Sequence, residues 1–170
     1  MYKITIVGTG NAGCAHAAMF SLAGHQVTLL KTSKAGNSLN YQLMKKEKRL
    51  TVSTLDEGDQ LVSLYRVTED PQEAFEECDI CFVMVQTLYH KSVAELIAPH
   101  VRHIQLLFVV PGYMGSLYFK RMLGDRVDCI AEGESTAYDA RIVADGHVKI
   151  LFKNVRNAIG VLKGSPVKVL

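Results

Sequence analysis

Short apolar runs and helix-spaced segments take turns along most of the chain. Ile4-Thr5-Ile6-Val7 is a compact β-type run. Behind it Ala12, Ala15, Met19, Phe20 and Ala23 recur at helical spacing until Gly24-His25 ends the pattern. Val27-Thr28-Leu29-Leu30 reads as a second strand, so residues 4–30 predict one βαβ unit, in which Ala12, Ala15, Ala17 and Ala18 are small enough to let the helix lie close on the sheet. Residues 36–49 are helical in pattern, with Leu39 and Leu43 on one face and Lys45, Lys46, Lys48 and Arg49 at the end, where the helix dipole favours cations. Residues 50–54 and 61–68 alternate like strands about the polar turn Asp56-Glu57-Gly58-Asp59.

Pro71 opens a short acidic helix through Glu77, and the continuous apolar run 79–85 predicts a strand buried on both faces of a parallel sheet. A helix carrying Val93, Leu96 and Ile97 follows, with His90 and Lys91 in its first turn. Then come a strand at 105–110, the loop Pro111-Gly112-Tyr113-Met114-Gly115-Ser116, a helix at 117–123 and a strand at 127–131. Residues 138–143 and 147–152 flank Asp145-Gly146, a hairpin signal, and a last strand-like piece at 158–162 precedes Gly164-Ser165-Pro166. The alternation predicts an α/β fold: a Rossmann-like, doubly wound, mostly parallel sheet that becomes antiparallel at its C-terminal hairpin and edge. With no internal repeat and no low-complexity linker, residues 1–170 read as a single domain.

Composition narrows the class. The chain is 48% hydrophobic and 21% charged with a net charge of +2, which suits one globular domain with an ordinary core. Charge this near to balance gives no reason to expect nucleic acid as a partner. No apolar run approaches the roughly 20 residues of a membrane span, and glycines break the first strand too soon for a secretory segment, so a cytoplasmic protein is expected. Cys14, Cys78, Cys81 and Cys129 are scattered through predicted helices and strands, as reduced core thiols would be.

The candidate chemistry starts at Gly8-Thr9-Gly10-Asn11-Ala12-Gly13, between the first strand and its helix. Gly8 would allow the tight turn, Gly10 the approach of a pyrophosphate, and Gly13 close packing of helix on strand, while the free N–H groups of the helix start would hold the anion. The end of the second strand, where an acid would bind the ribose hydroxyls of NAD, reads Leu30-Lys31-Thr32-Ser33-Lys34. Its ammonium and hydroxyl groups suit a phosphate monoester better, which favours NADP, with NAD as the alternative. Gln86, Thr87 and Leu88 stand at the carboxyl end of the 79–85 strand and Pro111 and Gly112 at that of the next, on the edge where open α/β sheets bind ligands.

Rival motifs fare worse. Cys78, Cys81, His100 and His103 offer zinc ligand types, but residues 82–99 hold a whole strand and helix rather than the ~12 residues of a finger. The same cysteine pair starts a strand, whereas a redox CxxC starts a helix. Gly133-Glu134-Ser135-Thr136-Ala137 lacks the second glycine of a nucleophile elbow and the helix that must follow. Tyr41 and Lys45 have the YxxxK spacing of a short-chain dehydrogenase pair, but too near the glycine turn for that role. Glu132 and Glu134 share a strand face and are placed at the rim of the cofactor or substrate cleft. His16 and His25 read as surface or cap residues. No catalytic residue and no metal ligand is assigned.

The run from Gly8 to Ala17, the Val85-Gln86-Thr87 to His90 strand end, the Val110-Pro111-Gly112 loop with Gly115 and Phe119, and Ala131-Glu132 with Ser135 and Thr136 together resemble the N-terminal NAD(P)-binding domain of the octopine/nopaline-type opine dehydrogenases. The resemblance covers essentially the whole chain; ketopantoate reductase and glycerol-3-phosphate dehydrogenase share it more loosely. It implies reductive condensation of an α-keto acid with an amine, with hydride from NAD(P)H. On that analogy Gly8 to Gly13 cradle the pyrophosphate, Lys31, Thr32, Ser33 and Lys34 surround the adenosine 2′ position, and Gln86, Thr87, Pro111 and Gly112 line the nicotinamide side. The family's catalytic histidine and aspartate belong to a helical C-terminal domain, which the sequence ending at Leu170 does not include. Two expectations stand: the cofactor domain of a longer opine-type or ketopantoate-reductase-like oxidoreductase, with keto acid and amine as substrates only once that domain is supplied, or a stand-alone nucleotide-binding or sensor module, possible as a homodimer.

Overall fold

The structure is a computed structural model that describes residues 1–33 and 39–162. In chain order its elements are β1 (Lys3–Val7), α1 (Asn11–Leu22), β2 (Gln26–Leu30), α2 (Leu39–Glu47), β3 (Arg49–Thr54), β4 (Gly58–Ser63), β5 (Arg66–Thr68), α3 (Pro71–Phe75) and β6 (Ile80–Val83). They continue with α4 (His90–Ile97), β7 (Ile104–Val109), α5 (Ser116–Leu123), β8 (Val127–Gly133), β9 (Tyr138–Ala144), β10 (His147–Lys153) and β11 (Ile159–Val161). The main sheet runs β11-β8-β7-β6-β1-β2-β5, parallel throughout except for β11, which closes the edge antiparallel to β8. The fold is Rossmann-like, as the alternation of strands and helices predicts.

A second sheet, β4-β3-β10-β9, lies across α1 from the first. The hairpin predicted about Asp145-Gly146 forms, but as part of this layer rather than of the main sheet's edge, with β10 parallel to β3 through Val148↔Val52. Helix α1 is therefore buried on both sides, and its Ala15, Ala17 and Ala18 have no exposed surface. Small side chains are what allow a helix to be covered twice at close range. On the opposite face of the main sheet, α3, α4 and α5 bury a separate core that includes Phe75, Ile97, Leu107 and Phe119.

Four expectations change. The run 61–68 is two strands: Leu64 N donates to Lys48 O at 2.8 Å and Tyr65 N to Val27 O at 3.0 Å, so the chain crosses from one sheet to the other between them. In α2 the buried side is Asn40, Tyr41 and Met44, while Leu39 is 71% exposed. Asn40 tolerates burial because its Oδ1 accepts a hydrogen bond from Gly146 N at the hairpin turn. His16, expected at the surface, is buried between α1 and β9; its ring meets Tyr138 edge-on at 4.9 Å and its Nδ1 lies 2.8 Å from Ala12 O. Strand β6 is also shorter than 79–85: Cys81 and Val83 are wholly buried, but Phe82 is only half-buried between Phe20 and Phe108. No helix among the described residues is long and apolar enough to cross a membrane.

Candidate functional site

The glycine turn is built as its spacing demands. Gly8 has φ +121°, and a Cβ there would sit 2.4 Å from Met84 O at the end of β6. Only glycine permits both that backbone and that approach. A Cβ on Gly13 would lie 1.9 Å from Gly8 O, so the start of α1 rests directly on the turn. Gly8 N donates to Leu30 O at 2.8 Å, which joins the turn to the end of β2. The N-cap of α1, Gly10, supplies no side-chain acceptor and its first turn carries no acid, so neither compensates the positive end of the helix. Asn11 is engaged elsewhere: its Oδ1 accepts from Ile142 N at 2.9 Å, fastening the turn to β9 of the second sheet.

A cleft of about 570 Å³ opens at the carboxyl ends of β1, β2 and β6. It falls where the strand order reverses about β1, with β2 on one side and β6 on the other, the place at which open α/β sheets take ligands. The cleft brings together Gly8, Thr9, Gly10, Lys31, Thr32, Ser33 and Gln86 from the predicted set. It adds Tyr89, Ser92 and Val93, which the sequence reading missed. Their spacing of three and four is that of one helical face, and it begins three residues after Gln86, a signal the sequence carries. Thr87 and Leu88 lie in a 3-10 turn just beyond, with Leu88 69% exposed. Asn11, Ala12 and Gly13 stand behind the lining, and Lys34 lies outside the described residues.

Lys31 is 7% exposed, although it lines the cleft. Its Nζ donates to Glu69 Oε1 at 2.7 Å and to Ser33 O at 2.9 Å, and stands 5.0 Å from the centre of the Tyr41 ring. The end of β2 thus does have a carboxylate, brought from the end of β5 by the pairing of Leu30 with Thr68 and the bond from Lys31 N to Thr68 O. The hydrogen bond from Lys31 holds the Glu69 carboxyl below its usual range. Burial, aided by the charges of Glu69 and Glu73, pushes the Tyr41 hydroxyl up to about 12, so Tyr41 stays neutral and serves as a ring beneath two cations, Lys31 and Lys45.

Pro111 and Gly112 lie one strand further along the same edge. Gly112 packs on Glu132, where a Cβ would be 2.4 Å from the glutamate's own Cβ. The Glu132 carboxylate, expected at the cleft rim, instead accepts hydrogen bonds from Met114 N at 3.0 Å and Ser116 N at 2.7 Å. It neutralises the start of α5 and holds a loop in which Tyr113 and Met114 have φ of 46° and 66°, a conformation costly for non-glycine residues. His90 lies beneath this loop, wholly buried, with Nε2 3.3 Å from Val85 O and its other edge against Gly115. Burial lowers its pKa below the usual 6.5.

The other motifs have structural employment. Cys78 and Cys81 are core thiols whose pKa burial raises, and Cys78 Sγ lies 3.3 Å from Ile80 O. Ser53 Oγ sits 2.5 Å from both Asp59 Oδ1 and His147 Nε2, so serine is the middle member of the trio and clasps β4, β3 and β10 together. A nucleophilic relay needs the histidine in the middle. Glu134 lies 3.4 Å from Ala158 N, on the link into β11.

An open parallel sheet, a glycine turn into an uncapped helix and a cleft at the strand-order reversal define a nucleotide-binding domain of the Rossmann type. Residues 4–115 match the family model described as ketopantoate reductase PanE/ApbA, and the chain belongs to that family. No curated protein matches the sequence significantly. Among solved structures, the chain is similar to octopine dehydrogenase in complex with NADH and agmatine, with TM-score 0.82 at 20% identity over 97% of this chain and 43% of that one. It is also similar to NADP+-bound yersinopine dehydrogenase, with TM-score 0.80 at 13% identity over 95% of this chain and 41% of that one. A PanE/ApbA-family ketopantoate reductase from Ralstonia eutropha JMP134 follows, with TM-score 0.70 at 20% identity over 88% and 46%. The chain spans less than half the length of each of these proteins.

Proposed function

We propose that residues 1–170 form the nicotinamide-dinucleotide-binding domain of an opine-type dehydrogenase, which reduces the imine of an α-keto acid and an amine. The observation that carries the binding half is the glycine turn, whose uncapped helix start opens on the reversal-point cleft. The N–H groups that begin α1 would hold the pyrophosphate, Lys31, Thr32 and Ser33 would meet the adenosine end, and Gln86, Thr87, Leu88, Pro111 and Gly112 would line the nicotinamide side. NADP(H) is the form for which Lys31 and the two hydroxyls supply donors. Bound there, the cofactor supplies the hydride. This chain's residues orient it, and the keto acid and amine are held by a second domain.

The opine reading draws support from the similarity to octopine dehydrogenase, which covers 97% of the chain and so takes in the second sheet. One observation favours a second reading, reduction of a 2-keto acid without an amine: the family model is that of ketopantoate reductase. Calorimetric titration with NADPH and NADH tests the binding. The chain has no tryptophan to report by fluorescence, and micromolar affinity for either cofactor is expected, whereas absence of binding to both refutes the reading. Oxidation of the reduced cofactor by the longest reading frame containing this chain then separates the two chemistries. Turnover that requires keto acid and amine together supports the opine reading, and turnover with keto acid alone supports the other.

A further inference from the structure

We propose that Glu69 sets the choice between a phosphorylated and an unphosphorylated adenosine ribose, by holding the Lys31 ammonium that a 2′-phosphate would need. The inference rests on the dinucleotide reading above and adds a determinant that lies outside the strand end where the specificity residues of such sheets are sought. Lys31 is the described cation of the cleft lining, and two of its three N–H donors are already committed, to Glu69 Oε1 and to Ser33 O. Its charge is balanced before any ligand arrives. The Glu69 side chain is 49% exposed, and it is Oε1 that Lys31 holds.

The two ligands meet this pair differently. A phosphate monoester carries about −1.5 to −2 charge at neutral pH, and at Lys31 it would stand against the Glu69 carboxylate. A ribose hydroxyl is a donor, and a carboxylate oxygen accepts from it. The strand end that carries Glu69 is fixed by backbone: Thr68 is paired with Leu30, its carbonyl accepts from Lys31 N, and its hydroxyl is hydrogen-bonded to Glu73 and to Asp70 N. Strand β5 therefore does not carry Glu69 away from Lys31 when a phosphate approaches. The acid missing from the end of β2 is supplied by the neighbouring strand, and it restrains the preference for NADP that the basic loop would otherwise give.

The test is calorimetric titration of the native chain and of Glu69→Gln with NADPH and NADH, with Glu69→Ser as a second variant that also removes the charge. Both substitutions should raise the NADPH-to-NADH affinity ratio by about tenfold, chiefly through tighter NADPH binding. A ratio that stays within twofold of the native value in both variants, with at least one cofactor still bound, overturns the role of Glu69 and leaves the dinucleotide reading standing. Loss of binding by the native chain to both cofactors overturns that reading and the proposal with it.

Discussion

Two glycines of the turn make opposite predictions for stability, and the pair separates folding from binding. In Gly13→Ala the new methyl would lie 1.9 Å from Gly8 O. An ordinary carbon–oxygen contact is about 3.3 Å, so the helix start and the turn must part by about 1.4 Å. Helix α1 cannot yield that distance freely, because Cys14, Ala15, Ala17 and Ala18 are packed against a sheet on either side. Overpacking of this kind costs about 1–3 kcal/mol, and moving the anion-facing N–H groups should forfeit at least one charge-assisted hydrogen bond, roughly a tenfold to hundredfold loss of affinity. Gly10→Ala should lose affinity without losing stability. Its φ of −83° suits any residue, and a Cβ there meets nothing within 4 Å. The fold should be unchanged or stabilised by about 0.4–1 kcal/mol, while the methyl occupies the space the pyrophosphate needs and weakens binding at least tenfold. Chemical denaturation and calorimetric titration of both variants read the two quantities separately. Native affinity in Gly10→Ala would refute the placement of the pyrophosphate, and native stability in Gly13→Ala would refute the packing argument.

Removing the carboxylate in Glu132→Ala leaves Met114 N and Ser116 N without their acceptor and should cost about 2–3 kcal/mol in denaturant unfolding, with Glu132→Gln recovering part of it; no loss in either would show that the loop holds itself. His16 and His90 are buried, and burial lowers the pKa of each below 6.5, so their neutral forms belong to the folded state. Stability should therefore hold above pH ~6.5 and fall as the pH drops through the folded-state values, because the unfolded chain takes up protons that the folded one resists, each pKa unit being worth about 1.4 kcal/mol. His16→Gln and His90→Gln should each flatten the stability profile below pH ~6.5, and unchanged profiles in both would place the acid sensitivity elsewhere.

The βαβ start, the parallel order and the glycine turn were legible because each is a local rule: apolar runs of strand length, small residues where a helix must approach, and glycines where a Cβ would strike backbone. The second sheet was not legible. Its strands β3, β4, β9 and β10 come from two separated stretches, and no local pattern tells a hairpin which layer it will join. The same limit hid the burial of His16, which depends on β9 arriving over α1. It also misled the reading of the β2 end. Lys31 to Ser33 contain no acid, but the carboxylate beside Lys31 belongs to Glu69, thirty-eight positions further on, and only strand pairing reveals it. Asn11 shows the converse: it falls inside the glycine motif, yet its side chain serves the second sheet.

Amide chemical-shift mapping of the isotope-labelled chain during titration with NADPH or NADH tests the central claim most directly, since it asks where a dinucleotide sits without presupposing activity. Large shifts should gather at Gly8 to Gly13, Lys31 to Ser33 and Val85 to Tyr89, the three strand ends about the cleft. Shifts gathered instead about the surface formed by Asp70, Glu76, His100 and Arg102, or no specific shifts with either cofactor, would contradict it.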